Sequence, residues 1–182
     1  MEALPPLSAS KRRRLFVETK SPWTACFQSG IDGSDPTPAM SVLAQQIGVI
    51  AMRVCSTHNK AKWPAAIWEV YAPPSLGGDP TSGYRRSVCA ANDGGRWVFH
   101  QSGLPYPFED ISAYKAARKK DRFTHQLLER YLLEFGLTPF DDNFYVVNTK
   151  QPGIVLERPP WKNEPRAFTL ADAVAGKPWH SA

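Results

Sequence analysis

The fold of this chain is decided by one stretch, residues 83–101, which reads GYRRSVCAANDGGRWVFHQ. Two runs containing β-branched and aromatic residues flank the tetrapeptide Asn92-Asp93-Gly94-Gly95. Asparagine, aspartate and glycine adopt the positive φ angles that a tight hairpin turn requires. The stretch therefore predicts an antiparallel hairpin with strands over 83–91 and 96–101.

Two further strands are predicted before this hairpin. Residues 49–55 are apolar and rich in β-branched side chains except at Arg53, and residues 65–71 include Trp68 and Val70. Four consecutive strands without a helix between them favour an antiparallel meander over a parallel sheet.

Apolar residues recur at helical spacing in three segments. The first begins at Thr37 and Pro38, which are typical of a helix N-terminus, and ends at Gly48. The other two cover residues 108–122 and 124–135. Together with the strands, they predict an α+β fold in which about three helices pack on one face of an antiparallel four-stranded sheet.

Proline and charge distinguish the two ends of the chain from its middle. Residues 1–22 are basic and lack periodicity, so we expect a flexible N-terminal arm. Residues 23–158 are expected to form a single α+β domain, which closes with a small C-terminal hairpin made of 144–148 and 153–157. Residues 159–182 contain prolines and isolated tryptophans and are expected to form a surface tail.

The net charge of +5 belongs mostly to the N-terminal arm. Residues 1–20 hold five Lys and Arg against Glu2 and Glu18, which gives +3 and leaves +2 for the other 162 residues. A domain that binds nucleic acid through its core is expected to be basic on its own. The charge therefore points to the arm, Lys11, Arg12, Arg13 and Arg14, as the place where nucleic acid would bind.

Several classes of protein are not indicated by the sequence. No apolar run matches a secretory signal or a membrane span, so we expect a cytoplasmic protein. The three cysteines lack C-x-x-C spacing, which is typical of free thiols in a reducing compartment. Because cofactor and metal motifs are absent as well, we expect no cofactor.

Enzyme motifs are also missing, and this favours a non-enzymatic protein. The chain has no phosphate-binding P-loop, no dinucleotide glycine motif, no zinc-protease motif and no G-x-S-x-G serine. One alternative is a small hydrolase-type enzyme centred on His100, which would meet Glu109 or Glu69 in a His–carboxylate pair. No nucleophile can be placed beside His100 from the sequence.

A second alternative is nucleic-acid binding through the arm and a basic helix over 115–122. Lys115, Arg118, Lys119 and Arg122 fall on one stripe of that helix at 100° per residue. Such a stripe is either a solvated helix face or a patch that meets phosphates or an acidic protein surface.

Interfaces between proteins are enriched in tryptophan and arginine anchors, and tryptophans in predicted loops are candidates for that role. Combined with the basic stripe, they give a set of candidate partner-binding residues. The set is Trp63, Arg96, His100, Lys115, Arg118, Lys119, Arg122 and Trp161.

A pattern of residues runs from the predicted hairpin through the two helices that follow it. Its members are Gly94-Gly95-Arg96-Trp97-Val98-Phe99, Gly103, Pro107-Phe108-Glu109, Tyr114, Asp121-Arg122-Phe123-Thr124, Leu128, Tyr131-Leu132 and Gly136. In these residues the chain resembles small standalone bacterial proteins of unassigned function, some of which accompany toxin systems as immunity proteins. Such proteins typically occlude a partner's active site, so the resemblance implies a stable protein partner. Many nuclease inhibitors are acidic, whereas this chain is basic, which implies a partner with an acidic surface.

Overall fold

The computed structural model describes residues 13–29, 37–58, 60–92, 94–146 and 153–157. These residues contain seven strands and two α-helices. The strands are β1 (Arg13–Glu18), β2 (Thr24–Gln28), β3 (Ala51–Ser56), β4 (Ala65–Tyr71), β5 (Tyr84–Asn92), β6 (Trp97–Gly103) and β7 (Ile154–Glu157). The helices are α1 (Thr37–Ile47) and α2 (His125–Leu133).

The chain divides into two compact units. One spans residues 36–136, and the other joins residues 1–35 to residues 137–182. This division differs from the expected single domain over 23–158. It also differs from the expected flexible arm, because β1 lies inside residues 1–22 and pairs with strands on both of its sides.

The unit over 36–136 is built on the four-stranded antiparallel sheet β3-β4-β5-β6. The sequence predicted all four of these strands and their meander order, and the structure confirms both. Trp68 of β4 lies opposite Val88 of β5, which lies opposite Gln101 of β6. Because side chains alternate along a strand, these residues share one side of the sheet, which we call the helix face.

The helix face packs on α2 through aromatic side chains. The Trp68 ring is fully buried, and its centroid lies 5.6 Å from that of Tyr131 in α2. Leu128 and Leu132 are buried on the same helix. Helix α2 begins at Thr124, whose side chain accepts a hydrogen bond from the Leu127 amide. Such a cap satisfies an amide that the helix cannot pair.

The helix predicted over 108–122 is wrong, so the described residues hold two α-helices instead of about three. Only two short 3₁₀ turns form there, Ala113–Lys115 and Lys119–Asp121. Between them the backbone is extended at Ala116 (φ −53°, ψ 143°) and Arg118 (φ −87°, ψ 127°). Extended residues interrupt the hydrogen bonds between successive turns, so no continuous stripe of basic side chains exists.

The predicted C-terminal hairpin is also wrong in its pairing. Strand β7 pairs with β1, in a three-stranded antiparallel sheet ordered β2-β1-β7. Tyr145 forms an isolated bridge with Thr19. Arg13 and Glu157 lie opposite each other in this sheet, with 3.2 Å between Nε and a carboxylate oxygen. Spacing along the chain could not indicate this partner, because β1 is more than 100 residues away.

Among the described helices, neither is long and apolar enough to cross a membrane.

Candidate functional site

Two connections lie together at one end of the four-stranded sheet. The β3–β4 loop, residues 57–64, and the β5–β6 turn, residues 93–96, meet there because the strands are antiparallel. The Asn92 amide donates a 2.9 Å hydrogen bond to the Pro64 carbonyl, which links the two connections. We call these two connections the Trp63 end.

The backbone around Trp63 is held in place by Thr57. The Thr57 hydroxyl donates to the Trp63 carbonyl at 3.0 Å and accepts from the Ala65 amide at 2.7 Å. A Cβ placed on Gly94 would lie 3.4 Å from the Trp63 ring nitrogen, so the indole sits against the β5–β6 turn. Trp63 nevertheless remains 55% exposed. The loop therefore presents a large aromatic ring from a fixed backbone.

Positive charge lies in the same two connections as this ring. The Lys62 ammonium lies 4.3 Å from the centroid of the Trp63 ring, within cation–π range. Lys60, Lys62 and Arg96 are all exposed. Against Asp93 in the same two connections, these three residues give a formal charge of +2. Of the predicted partner-binding residues, Trp63 and Arg96 are therefore brought to one end of the sheet.

The basic residues 115–122 lie elsewhere in the same unit, and two of them contact their own chain. Arg118 pairs with Asp121 at 2.5 Å, although its side chain is 72% exposed. Arg122 donates to the Ala116 carbonyl at 2.7 Å, and its guanidinium carbon lies 5.7 Å from the centroid of the Phe99 ring. Lys115 and Lys119 are exposed.

His100 and Glu109 are separated by the sheet. His100 lies opposite Cys89 on the side that faces away from α2, and it is exposed. Glu109 instead reaches Arg86, which shares the helix face with Val88. Glu69 is on the same side as His100 but binds Arg53 at 3.0 Å. The position of Glu69, two strands away from His100, gives no support to a His–carboxylate pair.

The ion pair between Arg86 and Glu109 is the most buried charged contact among the described residues. Their side chains are 1% and 0% exposed, and the closest N–O distance is 2.6 Å. Arg86 also donates to the Ser102 and Gly103 carbonyls, each at 3.0 Å.

Besides Arg86, two other groups donate hydrogen bonds to the Glu109 carboxylate. It accepts hydrogen bonds from the Tyr106 amide at 2.8 Å and the Tyr114 hydroxyl at 2.7 Å. Burial, together with hydrogen bonds to Tyr131 and Glu109, raises the pKa of Tyr114. Because buried charges need partners of this kind, we assign the Arg86–Glu109 pair to the stability of the unit.

A polar cluster that sequence reasoning missed joins β3 to α2. The Ser56 hydroxyl lies 2.6 Å from His125 Nδ1, and His125 Nε2 lies 3.3 Å from a Glu129 carboxylate oxygen. Only the spacing of His125 and Glu129, one helical turn apart, is visible in the sequence. Ser56 is 69 residues from His125, so nothing local could have indicated the contact.

The other residues predicted to bind a partner or nucleic acid do not form a second candidate site among the described residues. Trp161, Lys11 and Arg12 lie outside the described residues. Arg13 and Arg14 belong to β1. Within the described part of the chain, no group of three or more His, Cys, Asp or Glu side chains is arranged to hold a metal ion.

Comparison with known proteins gives no relative: no family model matches the chain, and no curated protein or solved structure matches it.

Proposed function

We propose that this protein is a protein-binding module whose binding needs no chemical step, and that it engages an acidic surface of its partner through the Trp63 end. The observation that carries the proposal is the half-exposed Trp63 ring, which is presented by a loop whose backbone is fixed by Thr57. A fixed backbone lowers the entropy cost of binding, because the anchor is already in place.

The residue types at the Trp63 end suit this role. Tryptophan and arginine are the residues that most often dominate the energy of protein interfaces. Lys60, Lys62 and Arg96 would attract an acidic surface and accelerate its encounter with the ring. The proposed partner therefore carries carboxylates around an apolar recess that receives the indole.

An immunity-type inhibitor is the most concrete form of this proposal, and it is supported by the resemblance in residues 94–136. Such an inhibitor binds tightly and blocks the active site of its partner without any chemical step. On this view, a variant that cannot bind would restore the partner's activity.

Nucleic-acid binding is the competing proposal, since an exposed Trp63 beside Lys62 also suits stacking on a single-stranded base. Two features favour a protein partner. Arg118 and Arg122 already contact their own chain, and the predicted basic helix that would have extended the surface is absent.

The test is capture of partners by tagged full-length protein, followed by affinity measurements on the captured species. We expect a stoichiometric acidic protein that stays bound at high salt. Trp63→Ala should weaken its binding by about 30-fold, the loss that truncation of an interface anchor typically causes. Lys62→Glu should slow association and lower the salt dependence.

Leu104→Ala is the matched control. Leu104 is 87% exposed and follows β6 at the opposite end of the sheet, so its loss should leave the affinity unchanged. Equal binding by Trp63→Ala and the wild type would contradict the proposal. Recovery of nucleic acid that elutes at modest salt would favour the competing one, since phosphate contacts weaken steeply with salt.

A further inference from the structure

Ser56, His125 and Glu129 have the arrangement of a nucleophile, a base and a group that orients the base. The serine oxygen and His125 Nδ1 are 2.6 Å apart, within the range for proton transfer. Glu129 Oε1 lies 3.3 Å from Nε2, on the other side of the ring. A hydroxyl beside a base that a third group orients is the structural signature of nucleophilic catalysis.

The contacts of His125 favour one of the two tautomers of its neutral ring. Glu129 lies 3.3 Å from Nε2, and a carboxylate can accept a hydrogen bond but cannot donate one, so this contact favours the tautomer with hydrogen on Nε2. Nδ1 then carries a lone pair and accepts from the Ser56 hydroxyl. The histidine is therefore set to remove the serine proton, without a change of tautomer.

Regular structure fixes both partners of this contact. Ser56 is the last residue of β3 and lies opposite Ala66 in the sheet register. His125 is the first residue of α2, directly after the capping residue Thr124. The serine is half-buried, while the His125 and Glu129 side chains are 48% and 46% exposed. Small reagents in solution can therefore approach the cluster.

We propose that Ser56 is a nucleophile that attacks carboxylic esters, with His125 as its base and Glu129 as a positioning residue. The Ser56 oxygen attacks the carbonyl carbon and its proton passes to His125 Nδ1. The ester C–O bond breaks, and the leaving alcohol takes that proton. Water then attacks the acyl-serine through the same base, which releases the carboxylic acid and restores the hydroxyl.

The solvent exposure of these three side chains determines the expected rate of ester turnover. Solvated groups stabilise a developing charge less than groups in a closed, dry site, so we expect slow turnover. The acyl group should then stay on Ser56 long enough to be detected. This property is independent of the proposed binding function.

The test uses full-length protein with two probes, p-nitrophenyl acetate and a biotinylated fluorophosphonate. We expect a fluorophosphonate adduct on the peptide that contains Ser56, with fluoride as the leaving group, and release of p-nitrophenol. Ser56→Ala should abolish both signals. His125→Ala should slow labelling at least tenfold, and added imidazole should restore part of the rate, which a merely structural role of His125 would not predict.

Ser75→Ala is the control, because Ser75 is an exposed serine in the 3₁₀ turn Pro74–Leu76, away from β3 and α2, and its labelling pattern should match the wild type. Circular dichroism of each variant will show whether it is folded. A folded wild type that gives no adduct on Ser56, or a folded His125→Ala variant labelled at the wild-type rate, would overturn the proposal.

Discussion

Glu109 and Glu129 are both carboxylates that pair with a nitrogen-bearing side chain, but they lie in opposite environments. Glu109 is 0% exposed and bound to Arg86, whereas Glu129 is 46% exposed and bound to His125. A buried charge needs compensating partners, and Glu109 has them in Arg86, the Tyr106 amide and the Tyr114 hydroxyl. At the surface water shares that task, which leaves the groups around Glu129 available for chemistry.

The largest expected change in the free energy of unfolding comes from replacing Glu109, and the same replacement at Glu129 should have little effect. Glu109→Gln would leave Arg86 as an uncompensated buried charge. We therefore expect it to lower the free energy of unfolding by about 3–5 kcal/mol. Glu129→Gln makes the same chemical change at the surface and should cost less than about 0.5 kcal/mol. Urea unfolding of both variants will measure the difference, and equal losses would contradict the contrast between the two environments.

An intermediate effect is expected at Tyr114, which donates to Glu109. Tyr114→Phe removes one donor from a buried carboxylate and should cost about 1–3 kcal/mol at neutral pH. Thermal or urea unfolding will give this value. An unchanged free energy of unfolding would mean that the other hydrogen-bond partners of Glu109 compensate fully for the loss of Tyr114.

The same substitution should alter stability at alkaline pH. Burial raises the pKa of Tyr114 in the folded protein, so the folded state holds the proton more tightly than the unfolded chain. This contribution is fully present below about pH 10, the ordinary pKa of tyrosine, and is lost as the pH rises above it. The unfolding free energy of Tyr114→Phe should therefore fall less steeply above pH 10 than that of the wild type. Parallel curves would contradict the assignment.

The smallest effect is expected at Arg118, whose ion pair with Asp121 is exposed. Exposed pairs contribute little, because water screens the charges and two side chains lose freedom. Arg118→Ala should change the unfolding free energy by less than about 0.5 kcal/mol in urea unfolding at moderate salt. A loss comparable to that of Glu109→Gln would mean that burial does not distinguish the two pairs.

The strands of the larger unit were readable from the sequence because their signals are local. Residues 65–71 were predicted and found as β4, and β5 and β6 pair as the antiparallel hairpin that the Asn92–Gly95 sequence predicts. The cap of α2 is equally local, because the Thr124 side chain accepts from the Leu127 amide three residues on. In each case the residue types and their immediate neighbours determine the backbone.

The errors arose where a distant residue overrides local spacing. Glu109 was placed in the first turn of a helix, but it turns inward to meet Arg86, which is 23 residues away. Strand β7 was paired with a neighbouring segment, whereas it joins β1. The Ser56–His125 contact was not anticipated at all. Helical or strand periodicity carries no information about such partners.

By itself the sequence determined the antiparallel meander, helices α1 and α2 of its three predicted helices, and the loop that contains Trp63, because propensity, capping and turn chemistry act over a few residues. Only the tertiary structure decided which charges are buried, which basic residues share a surface, and that Ser56 meets His125. Those outcomes depend on contacts between residues far apart in the chain, whose energies appear only when the sheet and α2 are packed together.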